Sequence, residues 1–272
     1  MAVKLEQRLI KLVVVALLVA STSVLPACRG GQGVAVIVAG STSVQPFAEL
    51  LAEEYAHIVP DSEIDVQGGG SSAGITAVES GTADIGMSSR ALKESEQWLW
   101  SVEIAKDGLA IITHPSNSID DLTNEQLRGI YTGAIGNWAE LGGADARIHI
   151  ITREEGSGTR SAFEDLVMGG EWIDPKAIVQ DSNGSVRQLV AGDRHSIGFI
   201  SLGLVDDTVK AVHLGGVAPT WENVSNGNYS LYRPFLFITL EEPVGQVKDF
   251  IDFILSPEGR QMLITEGLIP VS

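Results

Sequence analysis

The amino-acid sequence predicts an α/β fold, in which β-strands alternate with α-helices along the chain. Short continuous apolar runs of strand length recur, and most are followed by a segment whose apolar residues fall at helical spacing. Loops rich in glycine, serine and threonine separate the two kinds of segment. This alternation indicates largely parallel sheets, and no repeat of about 20–50 residues that would indicate a solenoid is visible.

The first predicted strand, residues 34–38, leads directly into a helix. Apolar residues of this helix recur every three or four positions as far as Ile58, Pro46 suits its first turn, and Pro60 ends it. Further strands are predicted at residues 64–66, 84–87 and 109–113, with the next helix beginning near residues 75–78.

Capping signals mark several helices in the rest of the chain. Thr123 and Gln126 have the spacing of a capping box, Gly169 follows an apolar helix, and Ser256 precedes the last one. The predicted helices are residues 122–131, 163–167, 244–255 and 257–265, and the predicted strands are residues 148–151, 197–200 and 235–238.

The N-terminus has the pattern of an export signal. Basic residues precede an apolar run at residues 12–20, which is too short to cross a bilayer because a span takes roughly 20 residues. Cys28, the only cysteine, follows this run in the layout of a bacterial lipoprotein signal. We therefore predict that residues 1–27 are a signal peptide, that Cys28 is the lipid anchor, and that residues 28–33 form a tether. The protein is then exported, and is either held at the outer face of the cytoplasmic membrane or periplasmic.

Length and charge restrict the possible partners. The 245 residues that remain after the first 27 of 272 suffice for one large or two medium domains. The formal net charge is −17, and it becomes about −19 without the signal peptide, which carries three positive charges and one negative charge. Nucleic acids and anionic lipid surfaces bind basic faces, so this balance argues against both. We expect a monomer with a small-molecule ligand.

Three loops share one design that is typical of anion sites. Residues 39–44, 68–74 and 156–159 each follow a predicted strand, consist mainly of Gly, Ser and Thr, and precede a helix. Unpaired N–H groups and a partial positive charge make a helix N-terminus attractive to anions. One such loop is explained by ordinary capping and turn formation. Three loops at the carboxyl ends of strands favour a ligand site, because open α/β sheets bind ligands at that edge.

Two arginines strengthen the prediction of an oxyanion site. Arg153 precedes the third loop, and Arg90 follows the predicted strand at residues 84–87. A guanidinium group matches a tetrahedral oxyanion with two parallel hydrogen bonds. The alternative for each arginine is a salt bridge with a nearby carboxylate, and Glu154 and Glu155 are close enough in sequence to pair with Arg153.

The order of five motifs resembles that of the phosphate-binding proteins of bacterial phosphate ABC importers, over residues 34–272. The motifs are AGSTSVQPF, GGGSSAGI, GTADIGMSSR, REEGSGTR and FIDFILSPEGRQML. The resemblance implies a two-lobed, venus-flytrap periplasmic-binding-protein fold, type II-like, with a mostly parallel sheet in each lobe. It implies that inorganic phosphate is captured between the lobes and delivered to permease subunits in the membrane, without catalysis, cofactor or metal.

The resemblance also implies where the lobes and the phosphate contacts lie. Lobe I is expected at residues 34–113 plus 234–272 and lobe II at 114–233, with crossing segments near residues 111–115 and 232–237. By motif match, the expected phosphate-binding residues are Thr42, Ser43, Ser71, Ser89, Arg90, Arg153, Ser157, Gly158 and Thr159.

One position differs from part of the family and affects ligand selectivity. Some members have an aspartate where this chain has Ser89, and that carboxylate accepts the proton of hydrogen phosphate and rejects sulfate, which has none. Without it, Asp84, Glu154 and Glu155 are the candidate acceptors. Another tetrahedral oxyanion, such as sulfate, molybdate or arsenate, therefore remains an alternative ligand.

An exported phosphatase is the alternative of a different class. It would use Ser71 or Ser157 as the nucleophile and would need a metal cluster or a base beside that serine. The five histidines are scattered without metal-ligand spacing, and none is placed as a base in the sequence. We therefore predict a binding protein and not an enzyme.

Overall fold

A computed structural model describes residues 35–271. The predicted signal peptide, tether and lipid anchor Cys28 lie outside the described residues. Twelve strands are present in this range: β1 (Val36–Gly40), β2 (Ile64–Gly68), β3 (Ile85–Ser88), β4 (Trp100–Thr113), β5 (Asp121–Leu122), β6 (His149–Arg153), β7 (Ile178–Gln180), β8 (Ser196–Ser201), β9 (Lys210–Ala211), β10 (His213–Leu214), β11 (Tyr232–Thr239) and β12 (Ile269–Pro270).

Eight α-helices accompany the strands of the described chain. They are α1 (Gln45–Ile58), α2 (Ser71–Glu79), α3 (Asn124–Tyr131), α4 (Gly158–Phe163), α5 (Asn183–Gly192), α6 (Trp221–Ser225), α7 (Gly245–Leu255) and α8 (Pro257–Thr265). A π-helical turn, Glu164–Met168, continues α4 as far as Gly169, whose left-handed φ of 61° ends it. Within residues 35–271, no helix has the length and apolar character needed to cross a membrane.

The capping signals in the sequence act as predicted. Thr123 Oγ1 accepts a hydrogen bond from Gln126 N–H at 3.2 Å, and Gln126 Oε1 accepts one from Thr123 N–H at 2.8 Å. Ser256 Oγ accepts from Gly259 N–H at 3.2 Å at the start of α8. These bonds satisfy donors that a helix leaves free in its first turn, and so fix where α3 and α8 begin.

The α/β fold is confirmed, but the sheet is one continuous mixed sheet and not a separate, mostly parallel one in each lobe. The main strand order is β2-β1-β3-β11-β4-β8-β6-β7. Neighbours are parallel within the group β2-β1-β3 and within the group β8-β6-β7. The two central strands β11 and β4 are antiparallel to each other and to their outer neighbours. The sheet is mixed because the antiparallel pair β11 and β4 stands between the two parallel groups.

Strand β4 is much longer than the predicted residues 109–113. Residues 100–108 pair with β11, and Leu109–Thr113 pair with β8. The first part was missed because apolar and polar residues mix along it, whereas only the last part is a continuous apolar run. A half-buried strand alternates in this way, while a strand covered on both faces does not.

The buried apolar residues divide the described chain into two halves. One large core contains residues only from 36–105 and 235–268, which we call the terminal half. The other contains residues only from 109–231, which we call the central half. The joining strands β4 and β11 pass from one core to the other at residues 106–108 and 232–234, so the halves meet where these strands run side by side.

Candidate functional site

Three segments of the terminal half meet at one edge of the sheet. They are the loop after β1, the start of α2 and the segment that follows β3. Gly70 N–H donates to Gly40 O at 2.9 Å, and Ser41 N–H donates to Met87 O at 2.9 Å. Gly70 begins α2 with a φ of 94°, which favours glycine and lets the loop turn sharply. Because parallel neighbouring strands end at the same edge, the loops predicted from sequence come together here.

Four buried serines form a hydroxyl cluster at this edge. Ser41 Oγ donates to Ser89 Oγ at 2.9 Å, and Ser43 N–H donates to Ser41 Oγ at 3.2 Å. Ser71 Oγ accepts from Ser89 N–H at 3.0 Å and lies 3.4 Å from Ser89 Oγ. None of the four is more than 2% exposed. Buried hydroxyls that are this close to one another present rotatable O–H donors to any oxyanion that enters.

The start of α4 in the central half lies against this cluster. Ser157 Oγ caps the helix by accepting from Arg160 N–H at 3.3 Å, and Gly158 and Thr159 follow it, fully covered. A Cβ atom on Gly158 would lie 2.6 Å from Ser89 Oγ and still closer to Ser71 Oγ. Only glycine therefore allows the helix to approach the serines this closely.

Three hydrogen bonds between side chains connect the two halves directly at the site, in addition to the backbone bond from Ser72 N–H to Gly156 O. Ser43 Oγ lies 2.7 Å from Thr159 Oγ1, Asn183 Nδ2 donates to Ser43 Oγ at 2.8 Å, and Arg153 Nη2 donates to Thr42 Oγ1 at 3.1 Å. Asn183 is the first residue of α5 and is held there because its Oδ1 accepts from Ser201 N–H at 3.2 Å.

Arg153 is buried and carries a donor without a partner. Its Nε and Nη2 each donate to the Glu154 carboxylate at 2.9 Å, and Nη2 also reaches Asp181 O at 3.0 Å. Its Nη1 is buried and has no hydrogen-bond partner among the described residues. A buried charged donor is costly when it is left unsatisfied, so Nη1 is available for an incoming anion.

Arg90 differs from Arg153 because a carboxylate occupies both ends of its guanidinium group. Nη1 and Nη2 donate to Glu96 at 2.7 and 2.8 Å, and Nη2 reaches Ser72 Oγ at 3.4 Å. The hydrogen bonds from Arg90 lower the pKa of Glu96 below its ordinary value. Arg90 is therefore paired with Glu96, and only its buried Nε lacks a hydrogen-bond partner among the described residues.

A third buried arginine at the site, Arg233, was not found from the sequence. Arg233, on β11, donates from Nε and Nη2 to Asp107 Oδ2 at 3.0 and 2.9 Å, and from Nη2 to Ser43 Oγ at 3.1 Å. Ser201 Oγ donates to Asp107 Oδ1 at 2.7 Å. The sequence does contain a signal for this pair. Arg233 in LYRPFLFIT and Asp107 in EIAKDGLAII are charged residues inside largely apolar strands, and such charges are normally buried only when they are paired.

Arg153 and Arg233 bond to the neighbouring residues Thr42 and Ser43, so each guanidinium group influences the other. Burial lowers the pKa of Arg233, Asp107 opposes this effect, and the positive charge of Arg153 lowers the pKa further. Three arginine–carboxylate pairs thus border the site: Arg90–Glu96, Arg153–Glu154 and Arg233–Asp107.

The candidate proton acceptors occupy different places. Asp84 Oδ2 accepts from Ile37 N–H at 2.8 Å and precedes β3, so it lies at the opposite edge of the sheet from the serines. Glu155 is exposed. Glu154 borders the cluster, because a Cβ atom on Gly70 would lie 3.3 Å from its Oε1, but both of its oxygens already accept from Arg153.

The arrangement is suited to binding and lacks the partners of a nucleophile. The side chains of Ser71 and Ser157 bond to hydroxyl or backbone groups, and neither bonds to a histidine or carboxylate in the described chain. Within residues 35–271, no three His, Cys, Asp or Glu side chains are grouped to hold a metal ion. What converges is a set of hydrogen-bond donors on hydroxyl, backbone and guanidinium groups, which is the chemistry of oxyanion recognition.

Comparison with known proteins gives one consistent result. A family model described as a PBP superfamily domain matches residues 27–258. The chain is 33% identical over 242 residues to the phosphate-binding protein PstS of Bacillus subtilis (86% of this chain, 80% of that protein). It is 29% identical over 276 residues to the protein of that name from Borreliella burgdorferi (96% of this chain, 99% of that protein).

Solved structures agree with these relatives. A putative phosphate ABC transporter substrate-binding protein with bound phosphate, from Clostridium perfringens, is 46% identical with a TM-score of 0.85, over 88% of this chain and 100% of that one. An ABC-type phosphate transport receptor from Vibrio cholerae is 40% identical with a TM-score of 0.73, over 87% of this chain and 100% of that one.

Proposed function

Since the chain belongs to the PBP superfamily and, within it, to the PstS family of phosphate-binding proteins, we propose that it holds inorganic phosphate at the junction of its two halves. It is the substrate-binding protein of a phosphate ABC transporter and not an enzyme. The observation that carries the placement is the buried, unpartnered Nη1 of Arg153, whose guanidinium group bonds through Nη2 to Thr42 in the loop that also holds Ser43.

The phosphate contacts are proposed to come from both halves. Thr42, Ser43, Ser71 and Ser89 belong to the terminal half, and Arg153, Ser157, Gly158 and Thr159 to the central half. Their convergence supports an anion that replaces its hydration shell with hydroxyl, N–H and guanidinium donors. Arg90 contributes as well, although Glu96 already binds both of its terminal nitrogens.

Opening and closing of two lobes is the proposed mechanism of capture. Lobe I corresponds to residues 34–113 plus 234–272, and lobe II to residues 114–233. The two separate apolar cores support a division into two lobes, although residues 109–112 pack with the core of lobe II, and the bonds from Ser43 to Thr159 and from Arg153 to Thr42 hold the closed form. An anion that contacts both lobes binds the closed form better than the open form, and so shifts the population toward it.

Delivery follows from membership of a transporter system. The closed, loaded protein docks as a monomer on permease subunits at the outer side of the cytoplasmic membrane, with Cys28 as its lipid anchor. A lipid anchor keeps the binding protein near the permease, since it restricts diffusion to the membrane surface.

Another tetrahedral oxyanion is the second candidate ligand. The specific observation in its favour is Ser89, whose hydroxyl both donates and accepts, because the carboxylates of Glu154 and Asp107 that border the cluster are already paired with arginines. Such a site has no free carboxylate to reject sulfate, which offers no proton.

Calorimetric titration tests both candidates. The purified protein, freed of carried-over anions, is titrated with inorganic phosphate and then with sulfate at neutral pH. Saturable phosphate binding with one site per chain is expected. Sulfate binding without phosphate binding would replace phosphate by the second candidate, and no response to either anion would contradict the proposed function.

A further inference from the structure

Arg233 occupies a position that couples the proposed site to the joining strands. It lies near the start of β11, beside Asp107 of β4, where both strands pass between the terminal and central halves. Its side chain is 1% exposed, and Asp107 is completely covered. A guanidinium group in such a place needs partners for its N–H groups, because burial removes their water.

The hydrogen bonds of Arg233 leave one nitrogen of its guanidinium group without a partner. Nε and Nη2 are bonded to Asp107, and Nη2 is also bonded to Ser43. Nη1 is buried and has no hydrogen-bond partner among the described residues, as is also true of Arg153 Nη1. An arginine whose only role is to pair with Asp107 would be expected to satisfy both terminal nitrogens.

The bonds of Ser43 supply a third free donor at the same place. A hydroxyl group accepts two hydrogen bonds and donates one. Asn183 Nδ2 and Arg233 Nη2 are both donors to Ser43 Oγ, so the Ser43 proton is directed to Thr159 Oγ1. The Thr159 hydroxyl therefore keeps its own proton for another acceptor, close to the same hydroxyl that Arg233 contacts.

The mutual repulsion of Arg153 and Arg233 also favours an anion bound between them. The charge of Arg153 lowers the pKa of Arg233, so the guanidinium groups disfavour each other while only Glu154 and Asp107 compensate them. An anion between the two arginines would relieve this repulsion and satisfy both unpartnered nitrogens.

We propose that Arg233 is a further arginine contact to the bound oxyanion, through Nη1, and that Asp107 is the positioning residue that orients it. This inference rests on the proposed function, since it assigns a further ligand-binding residue to the same site. It also gives the joining strands a direct part in ligand recognition, because the group that contacts the anion is carried by β11 and fixed by β4.

Two variants that both carry Asp107→Asn distinguish a direct contact between Arg233 and the ligand from a purely structural role of Arg233. Asp107→Asn leaves Arg233 in place, and the double variant Arg233→Met with Asp107→Asn removes it without leaving an unpaired buried carboxylate. Calorimetry with inorganic phosphate is expected to give the double variant an affinity on the order of tenfold to a hundredfold below that of Asp107→Asn, the usual effect of losing a charged hydrogen bond. Equal affinities of the two variants would overturn the inference, because a purely structural pair is already broken in both.

Further measurements distinguish the loss of a ligand contact from misfolding and from failure of the proposed function. Thermal unfolding checks each variant. If the double variant does not fold, Arg233→Lys tests the contact, because it keeps the positive charge beside Asp107 but lacks Nη1. Unchanged phosphate affinity of Arg233→Lys would then overturn the inference. Arg187→Gln, which removes a surface arginine paired with Asp206, is the control and should bind phosphate like the unaltered protein. Absence of phosphate binding by the unaltered protein would instead contradict the proposed function.

Discussion

Ser43 Oγ lies 2.7 Å from Thr159 Oγ1, although the two residues are 116 positions apart in the chain and belong to different halves of the molecule. Both side chains are about 1% exposed. The contact therefore exists only while the halves are together, and it joins the loop after β1 to the first turn of α4.

Replacing Thr159 with valine is expected to weaken phosphate binding about fivefold to tenfold, because one neutral hydrogen bond is worth about 1 kcal/mol. The bond to Ser43 is lost while the shape of the side chain is kept. Titration calorimetry measures the change. Thr132→Val is a suitable control, since Thr132 bonds only to the backbone at the end of α3. Similar losses in both variants would contradict the assignment of Thr159 to the site.

Replacing Gly158 with alanine should prevent the two halves from meeting fully. The added Cβ would lie 2.6 Å from Ser89 Oγ, a distance at which atoms must move apart. We expect phosphate affinity to fall by about tenfold or more, since overpacking typically costs about 1–3 kcal/mol. Small-angle scattering should show a larger radius of gyration with phosphate present. Gly192→Ala, where nothing lies within 4 Å of the added atom, should leave both measurements unchanged.

Arg153 and Arg90 are expected to differ in their contribution to binding. Arg153→Met removes the buried unpartnered nitrogen and should lower phosphate affinity by on the order of tenfold to a hundredfold. Arg90→Met should have a smaller effect on affinity, because both terminal nitrogens of Arg90 already bond to Glu96. Titration of the two variants in parallel checks this order, and the reverse order would show that Arg90 is the principal arginine.

The Arg90–Glu96 pair should make stability depend on pH in acid. Arg90 lowers the pKa of Glu96 below 4.5, so the pair contributes stability above the unfolded-state pKa, and this contribution is lost as pH falls through the lower folded-state pKa. Chemical denaturation between pH 3 and 6 measures the free energy of unfolding. Arg90→Met should reduce the loss of stability on acidification; an unchanged slope would show that other carboxylates dominate it.

Introducing a carboxylate at Ser89 is expected to increase the selectivity for phosphate over sulfate. Ser89→Asp places a proton acceptor in the hydroxyl cluster, which suits hydrogen phosphate and leaves sulfate facing an unpaired acceptor at a cost of about 1–3 kcal/mol. Sulfate affinity should therefore fall by about tenfold or more relative to phosphate affinity. Competition between the two anions at neutral pH gives the ratio directly, and an equal loss for both would mean that the aspartate only disrupts the cluster.

Local signals in the sequence predicted much of the fold. The capping box at Thr123 and Gln126 fixed the start of α3, and Pro46 and Ser256 marked the starts of α1 and α8 correctly. These features depend on neighbours within a few residues, so the sequence contains all the information that they need. The first part of β4 was missed because its alternating residues pair with β11, far away in the chain, and only the pairing makes it a strand.

The site shows the same division between local and long-range information. Gly158 and Thr159 were identifiable because glycine and hydroxyl residues cluster in one loop before one helix. Arg233 and Asp107 stand 126 residues apart and carry no local motif, so their pairing depends on two antiparallel strands that lie side by side. Asn183 likewise joins the site only because α5 begins beside Ser43.

The matching of each arginine with a carboxylate has a consequence for the rate of capture. Because Arg90, Arg153 and Arg233 are each neutralised within the protein, the binding cleft has little net charge with which to attract an anion from a distance. The rest of the protein is acidic, with a formal net charge of −17 for the full sequence, and repels anions until they are within a few ångströms. Raising the ionic strength should therefore accelerate association. At the proposed site, capture is then expected to depend on short-range hydrogen bonds and not on electrostatic steering.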